Sequence, residues 1–147
     1  MTNTPARILV VDDEKLIRWS VSERLQRDGY EVLAAETGEQ ALELVGGTPP
    51  DVMLLDVKLP GIDGVATLQR ALALHPEVAV LMMSAHSTVD VAVEAMKHGA
   101  LDFLVKPFQL NALVAAVERV KAAQRASLAE LDELFASLQQ RAFRGEL

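Results

Sequence analysis

Four apolar runs in the 147-residue sequence end on side chains able to do chemistry. The run ILVV, Ile8 to Val11, feeds into Asp12, Asp13 and Glu14. DVMLL, residues 51–55, ends at Asp56, and later runs end at Ser84 and at Lys106. Adjacent carboxylates repel and are costly to desolvate unless a cation sits among them. Carboxylate oxygens around an open position suit a hard divalent cation, Mg²⁺ retaining some waters before others. Such an ion completes its shell with a phosphoryl oxygen, and a lysine ammonium and a serine hydroxyl are the donors for the remaining ones. There is no cysteine, and no paired histidine offers itself as the group that receives the phosphoryl. A carboxylate can serve as nucleophile through an acyl phosphate, and Asp56, alone opposite the acidic pair, is the best candidate.

These residues need elements that bring them together. Arg7–Val11 reads as a strand, followed by a helix with Leu16, Ile17, Val21 and Leu25 on one face and Gly29 closing it. Glu31–Ala35 reads as a second strand. Thr37–Gly38 opens a helix carrying Ala41, Leu42 and Val45, stopped by Gly46–Gly47 and Pro49–Pro50. Asp51–Leu55 is a third strand; a loop with Pro60, Gly61 and Gly64 leads into a helix ending near His75. Val78–Met83 is a fourth strand, and Ser87 caps a helix through Met96–Lys97, ended by Gly99. Leu101–Val105 is a fifth strand, and a last helix begins near Asn111. Strand and helix alternate five times, which predicts βαβ units and a parallel sheet covered on both faces. Asp12, Asp13, Asp56, Ser84 and Lys106 then all stand at the carboxyl ends of strands, where open α/β sheets form their sites. If strands one and three are neighbours, three carboxylates converge.

The bulk composition narrows the function. Half of the residues are hydrophobic, enough for a core. A net charge of −7 argues against nucleic-acid phosphates as a ligand of this chain. The N-terminal run stops at Asp12, too early for a secretory signal, and no window approaches a membrane span. A reducing, cytoplasmic setting is the expectation.

Together VVDDE, LLDVKLPGIDG (54–64), MSAHS (83–87) and DFLVKPF (102–108) resemble the receiver domain of two-component response regulators, over about residues 6–122. The resemblance implies a flavodoxin-like, doubly wound five-stranded parallel sheet of order 2-1-3-4-5. By position, Asp56 is similar to the phosphoacceptor, Asp13 to a direct Mg²⁺ ligand and Asp12 to a ligand through water. The backbone carbonyl of Lys58 would be a third protein ligand. Ser84 and Lys106 would contact the phosphoryl oxygens, Lys106–Pro107 would be cis, and Phe103 occupies the position of an aromatic switch. The implied donor is a phosphohistidine of a sensor histidine kinase. The implied chemistry is self-phosphorylation with slow loss of the phosphoryl group, not turnover of a substrate as an enzyme. MSAHSTVDVAVEAMKHGALDFLVKPF further resembles receivers of sigma-54-dependent transcription activators of the nitrogen-regulator type. In those, a helical linker leads to an AAA+ ATPase and a DNA-binding domain. No GxxxxGK[ST] loop occurs here, so that resemblance implies an N-terminal fragment without nucleic-acid contacts of its own.

Other readings stand beside this one. A nucleotide- or flavin-binding domain needs a glycine-rich turn where Asp12 and Asp13 stand. An aspartyl-phosphate phosphatase commonly places its nucleophile after strand one, under a lid. A receiver of another output class could act through dimerisation alone. Phe103 also reads as plain core, Trp19 as a partly buried helix residue, and His86 and His98 as helix-start and surface residues.

The last helix outruns the domain. Leu110, Leu113, Val117, Val120, Gln124, Ser127, Leu131, Leu134 and Leu138 keep a spacing of three and four, widened by Leu128, Phe135 and Ala142. The division expected is a domain over 1–122 and a helical extension over 123–147. The stripe predicts a parallel homodimer through residues 110–142; the rival is a tail that packs back or frays.

Overall fold

The computed structural model describes residues 4–85 and 89–143. Its elements are β1 (Arg7–Val11), α1 (Lys15–Arg27), β2 (Glu31–Ala35), α2 (Gly38–Gly47), β3 (Val52–Asp56), α3 (Gly64–Leu74), β4 (Ala79–Ser84), α4 (Val89–Lys97), β5 (Asp102–Val105) and α5 (Leu110–Phe143). The five strands form one sheet of order β2-β1-β3-β4-β5, with every pair parallel. This is the doubly wound order, and its reversal lies between β1 and β3.

Alternate strand residues point to opposite faces, and both faces are covered. Leu9, Val11, Met53, Leu55, Val80 and Met82 pack with Ala41 and Val45 of α2, Leu68 and Ala71 of α3 and Ala95 of α4. Ile8, Val10, Val52, Leu54, Leu81 and Met83 pack with Val21 and Leu25 of α1 and Leu113, Ala116, Val117 and Val120 of α5. The continuous apolar strands of the sequence are thus explained by burial on two sides.

Helix starts follow local chemistry. The Thr37 side chain accepts the Gln40 N–H at 3.1 Å, and the Asp63 carboxylate accepts the Ala66 N–H at 2.8 Å. Five strand boundaries, at both ends of β3 and β4 and at the start of β5, move by one residue from the sequence expectation. Asp51 lies just before β3; its N–H donates to the Arg7 carbonyl at 2.8 Å, and its carboxylate accepts the Arg7 N–H at 2.8 Å. Asp56 and Ser84 are the last residues of their strands, with Asp56 in register with Met83. Leu101 precedes β5. The cap assigned to Ser87 and the reading of His86 fall outside the described residues, as do residues 144–147 and the side chain of Ala142. His98 lies on the surface, hydrogen-bonded to Glu94 and Gln69.

Two side-chain readings are corrected. Leu16 and Trp19 stand 72% and 62% exposed on α1. The helix turns its Ile17, Val21 and Leu25 side to the sheet, so Leu16 and Trp19 meet solvent. In α5, Leu113, Val117 and Val120 are buried against the sheet, and Leu110 is partly buried there. They belong to the domain's own core and are unavailable to a partner helix. Beyond them, Leu128, Leu131, Leu134, Phe135 and Leu138 are exposed. The base of α5 is tied on several sides. Arg24 bonds Asn111 at 2.8 Å, Arg119 bonds Asp102 at 3.0 Å, and Gln124 donates to the Glu77 carbonyl. Tyr30 donates its hydroxyl to Glu118 while Lys121 sits over its ring.

Candidate functional site

The carboxyl ends of β1, β3, β4 and β5 deliver the residues singled out in the sequence to one cleft. Asp13, Glu14, Asp56, Lys58, Ser84, Ala85 and Lys106 line it, around about 250 Å³. Asp12, Asp13 and Asp56 each present a carboxylate oxygen, all within 4.8 Å of one another. Asp12, Asp56, Ser84 and Lys106 are buried, and Asp13 is exposed.

Each position has a local cause. Asp12 follows β1 directly and donates its N–H to the Ala35 carbonyl at 3.2 Å, continuing the pairing with β2. Its Oδ1 accepts the Glu14 N–H at 2.9 Å, and its carbonyl accepts Arg18 at 2.7 Å. Asp56 closes β3, and its Oδ1 accepts the Lys58 N–H at 3.1 Å. Lys106 follows β5, its N–H bonded to the Ser84 carbonyl at 2.8 Å, and the peptide to Pro107 is cis, as the resemblance implied. The turn after β3 is tight: Gly64 donates to the Val57 carbonyl at 2.8 Å. A Cβ on Gly64 would lie 2.1 Å from the Asp56 carbonyl oxygen, so only glycine admits this approach.

Lys106 sits among the acids. Its Nζ donates to Asp12 Oδ2 at 2.5 Å and to Asp56 Oδ2 at 3.0 Å, and lies 3.7 Å from Glu14. Burial alone would push the ammonium's pKa down. The hydrogen bonds and charges of Asp12 and Asp56 outweigh it and raise that pKa above 10.5. Burial pushes the Asp56 carboxyl up; the Lys106 hydrogen bond opposes this, the Asp12 charge adds to it, and the net is a raised pKa. Asp12, Asp13, Glu14 and Asp56 outnumber the two lysines, Lys58 and Lys106, so negative charge remains in excess at a spot open to solvent. That excess, from oxygen donors alone, fits a divalent cation held mainly by carboxylates.

Phe103 is partly buried and packs against the core beneath α2, α3 and α4. The sequence reading missed three contributors. Glu14 was read as one more acid, and its Lys106 contact depends on the helix start. Arg18 braces the Asp12 carbonyl from one turn into α1, a spacing visible in sequence but without a distinguishing type. Glu39, on α2, reaches the loop after Asp56 and carried no sequence signal.

The match to the family model described as response regulator receiver domain spans residues 8–118. The chain belongs to the response regulator receiver family. The DNA-binding transcriptional regulator NtrC of Escherichia coli (strain K12) is 42% identical over 112 residues, covering 76% of this chain and 24% of that protein. The transcriptional regulatory protein ZraR of the same strain is 42% identical over 138 residues, covering 93% of this chain and 31% of that protein. The crystal structure of NtrX from Brucella abortus superposes with a TM-score of 0.82 at 36% identity, covering 89% of this chain and 30% of that chain. The receiver thus spans about a quarter to a third of the length of these relatives. Among its described residues no helix is long and apolar enough to cross a membrane.

Proposed function

We propose that this receiver takes a phosphoryl group onto Asp56 from a phosphohistidine of a sensor histidine kinase and passes the change to an effector outside this chain. The carrying observation is the buried Asp56 carboxylate, 3.0 Å from the Lys106 ammonium and grouped with two further carboxylates at the sheet's reversal. An Asp56 oxygen attacks phosphorus, the phosphorus–nitrogen bond breaks, and the departing imidazole nitrogen keeps the electron pair. Lys106 offsets charge on the transferred group, and Ser84 lines the same cleft. Asp13, Asp56 and the Lys58 carbonyl would hold Mg²⁺ directly, with Asp12 acting through water. When bound, the ion supplies positive charge to the phosphoryl oxygens. The exposed Leu16 and Trp19, in the turns of α1 just after the acids, offer the kinase an apolar face.

The phosphorylated carboxylate gains charge and acceptors, Ser84 turns toward them, and Phe103 moves into the space released. The face of α4, β5 and α5 then shifts between two existing states. The receiver is an acceptor that slowly dephosphorylates, working in the cytoplasm. The likeness to NtrC and ZraR supports an output through a sigma-54-dependent AAA+ activator. A division near residue 122 follows the burial: Val120 is buried, while Leu128 and the apolar residues after it are exposed. That exposed stripe forms the homodimer helix, and the ZraR match, at 138 residues, reaches into it.

The test is incubation with acetyl phosphate and magnesium, followed by intact mass and peptide mapping. The expected result is one phosphoryl group on Asp56, none with Asp56→Asn, and none when chelator replaces magnesium. Equal labelling of Asp56→Asn would overturn the assignment. Repeated turnover of the donor without stable label would favour the phosphatase reading.

A further inference from the structure

The loop over residues 57–63, between β3 and α3, carries Lys58 and borders Asp56. Its two ends are fixed locally. The Val57 N–H bonds the Met83 carbonyl at 2.9 Å, the Gly64 N–H bonds the Val57 carbonyl at 2.8 Å, and Asp63 caps α3. Its tip is fixed from elsewhere. The Ile62 N–H donates to Glu39 Oε1 at 3.0 Å, across 23 residues of sequence.

The surroundings make this contact a fitted one. Gly61 has φ +76°, a left-handed conformation that favours glycine, and the Glu39 carboxylate lies close above it, 2.6 Å from where a Cβ would stand. A Cβ on Gly38, the residue before Glu39, would lie 2.7 Å from Ile62 Cγ1 and 2.2 Å from Thr67 Oγ1. The N-terminus of α2 therefore rests directly on the loop and on the start of α3. Thr67 is buried and donates to the Asp63 carbonyl at 2.8 Å, closing the arrangement from below. Leu59, in the same loop, is partly buried against the core. The Glu39 carboxyl is held below its ordinary value of 4.5, first by the Ile62 N–H.

We infer that Glu39 is a positioning residue for the phosphoryl site: the Lys58 N–H is held at one end by Asp56 Oδ1 at 3.1 Å, and the Glu39 carboxylate pins the tip of the 57–63 loop at the other, so that the two together fix the Lys58 backbone beside Asp56. Glu39 touches neither the acids of the cleft nor the space they surround. It acts through the loop, from a helix on the far side of it. The inference rests on the magnesium reading above. A backbone carbonyl cannot be tuned by its own side chain, so its placement depends on what anchors the loop.

The experiment compares the unaltered chain with Glu39→Ala and Glu39→Gln, all in the full chain. Without metal, amide hydrogen exchange is followed in the peptide spanning 57–63. With metal, magnesium affinity is measured by calorimetric titration, and the acetyl phosphate labelling rate is measured against magnesium concentration. Glu39→Ala should speed exchange in the loop and weaken magnesium binding by about tenfold, the low end for partners that orient metal ligands. The labelling rate at saturating magnesium should stay within about twofold of the unaltered chain, since no reacting group is removed. Glu39→Gln keeps an acceptor oxygen and should restore both readouts. Unchanged exchange and affinity in Glu39→Ala overturn the inference. So does an equal loss in Glu39→Gln, which would trace the effect to charge instead of the tether. If the unaltered chain binds no magnesium, the metal reading fails, while loop exchange still decides the tether.

Discussion

Asp56 and Lys106 show what the site costs the fold. Asp56 is buried with its pKa raised, first by burial, so the native state binds its proton more tightly than the unfolded chain does. The sign follows: its contribution is most favourable below the ordinary value of 3.8 and is lost as pH rises through the folded value. Asp56→Asn removes the charge and keeps the shape. Without metal at pH 7 it should stabilise the domain by roughly 1 kcal/mol, with the gain vanishing at acid pH, as chemical denaturation at both pH values would report. Lys106→Met does the reverse, since the remaining carboxylates lose their internal cation. A loss of about 3 kcal/mol without metal is expected, partly recovered by millimolar magnesium in a thermal melt. No metal-dependent recovery would count against cation binding there. Asp12, Asp56, Ser84 and Lys106 were legible in sequence because each polar residue ends an apolar strand. Glu39 was not, because an acid in a helix's first turn is ordinary and its partner is a backbone amide 23 residues away.

Among the elements, β3 and the turn after it bear the tightest constraint. Gly64→Ala would set a methyl 2.1 Å from the Asp56 carbonyl and 2.6 Å from Val57 Cα, both backbone atoms without freedom to move aside. A loss of about 2–3 kcal/mol is expected in urea unfolding. A variant as stable as the parent would mean that the turn relaxes easily. The alternation of strands and helices was legible because the strands are mostly apolar and Thr37, the prolines and the glycines punctuate them. Strand ends were less so, since Asp51 falls just before β3, its carboxylate on the Arg7 amide of β1, while Asp56, equally polar, stays in the ladder. The periodicity of α5 gave one unbroken stripe, yet its first half faces the sheet. Spacing reports which side is apolar and is silent about what covers it. Leu113→Ala should therefore cost about 3 kcal/mol of domain stability, read from its denaturation midpoint.

At the scale of the whole molecule, the sheet and the extension have separate surfaces to answer for. Leu134 is 57% exposed, beyond the last residues that α5 buries in the domain. Leu134→Lys should leave the fold's stability within about 0.5 kcal/mol while lowering the sedimentation mass to that of one chain. A dimer that survives it would move the proposed interface to another face. The length of the final helix and an expected division after residue 122 were visible in the sequence; the bond from Gln124 to the Glu77 carbonyl needed the three-dimensional position of Glu77.

That helix runs unbroken from its footing beneath the sheet to Phe143. From Val120 onward it extends about 35 Å, at the rise of an α-helix. A swing of roughly 10° at its base, too small to unseat Val117 or break the Arg119–Asp102 pair, would carry its far end some distance on the order of 6 Å. On the proposed mechanism the molecule would be geared: ångström-scale repacking at the cleft would emerge at the tip as a displacement as large as a turn of helix.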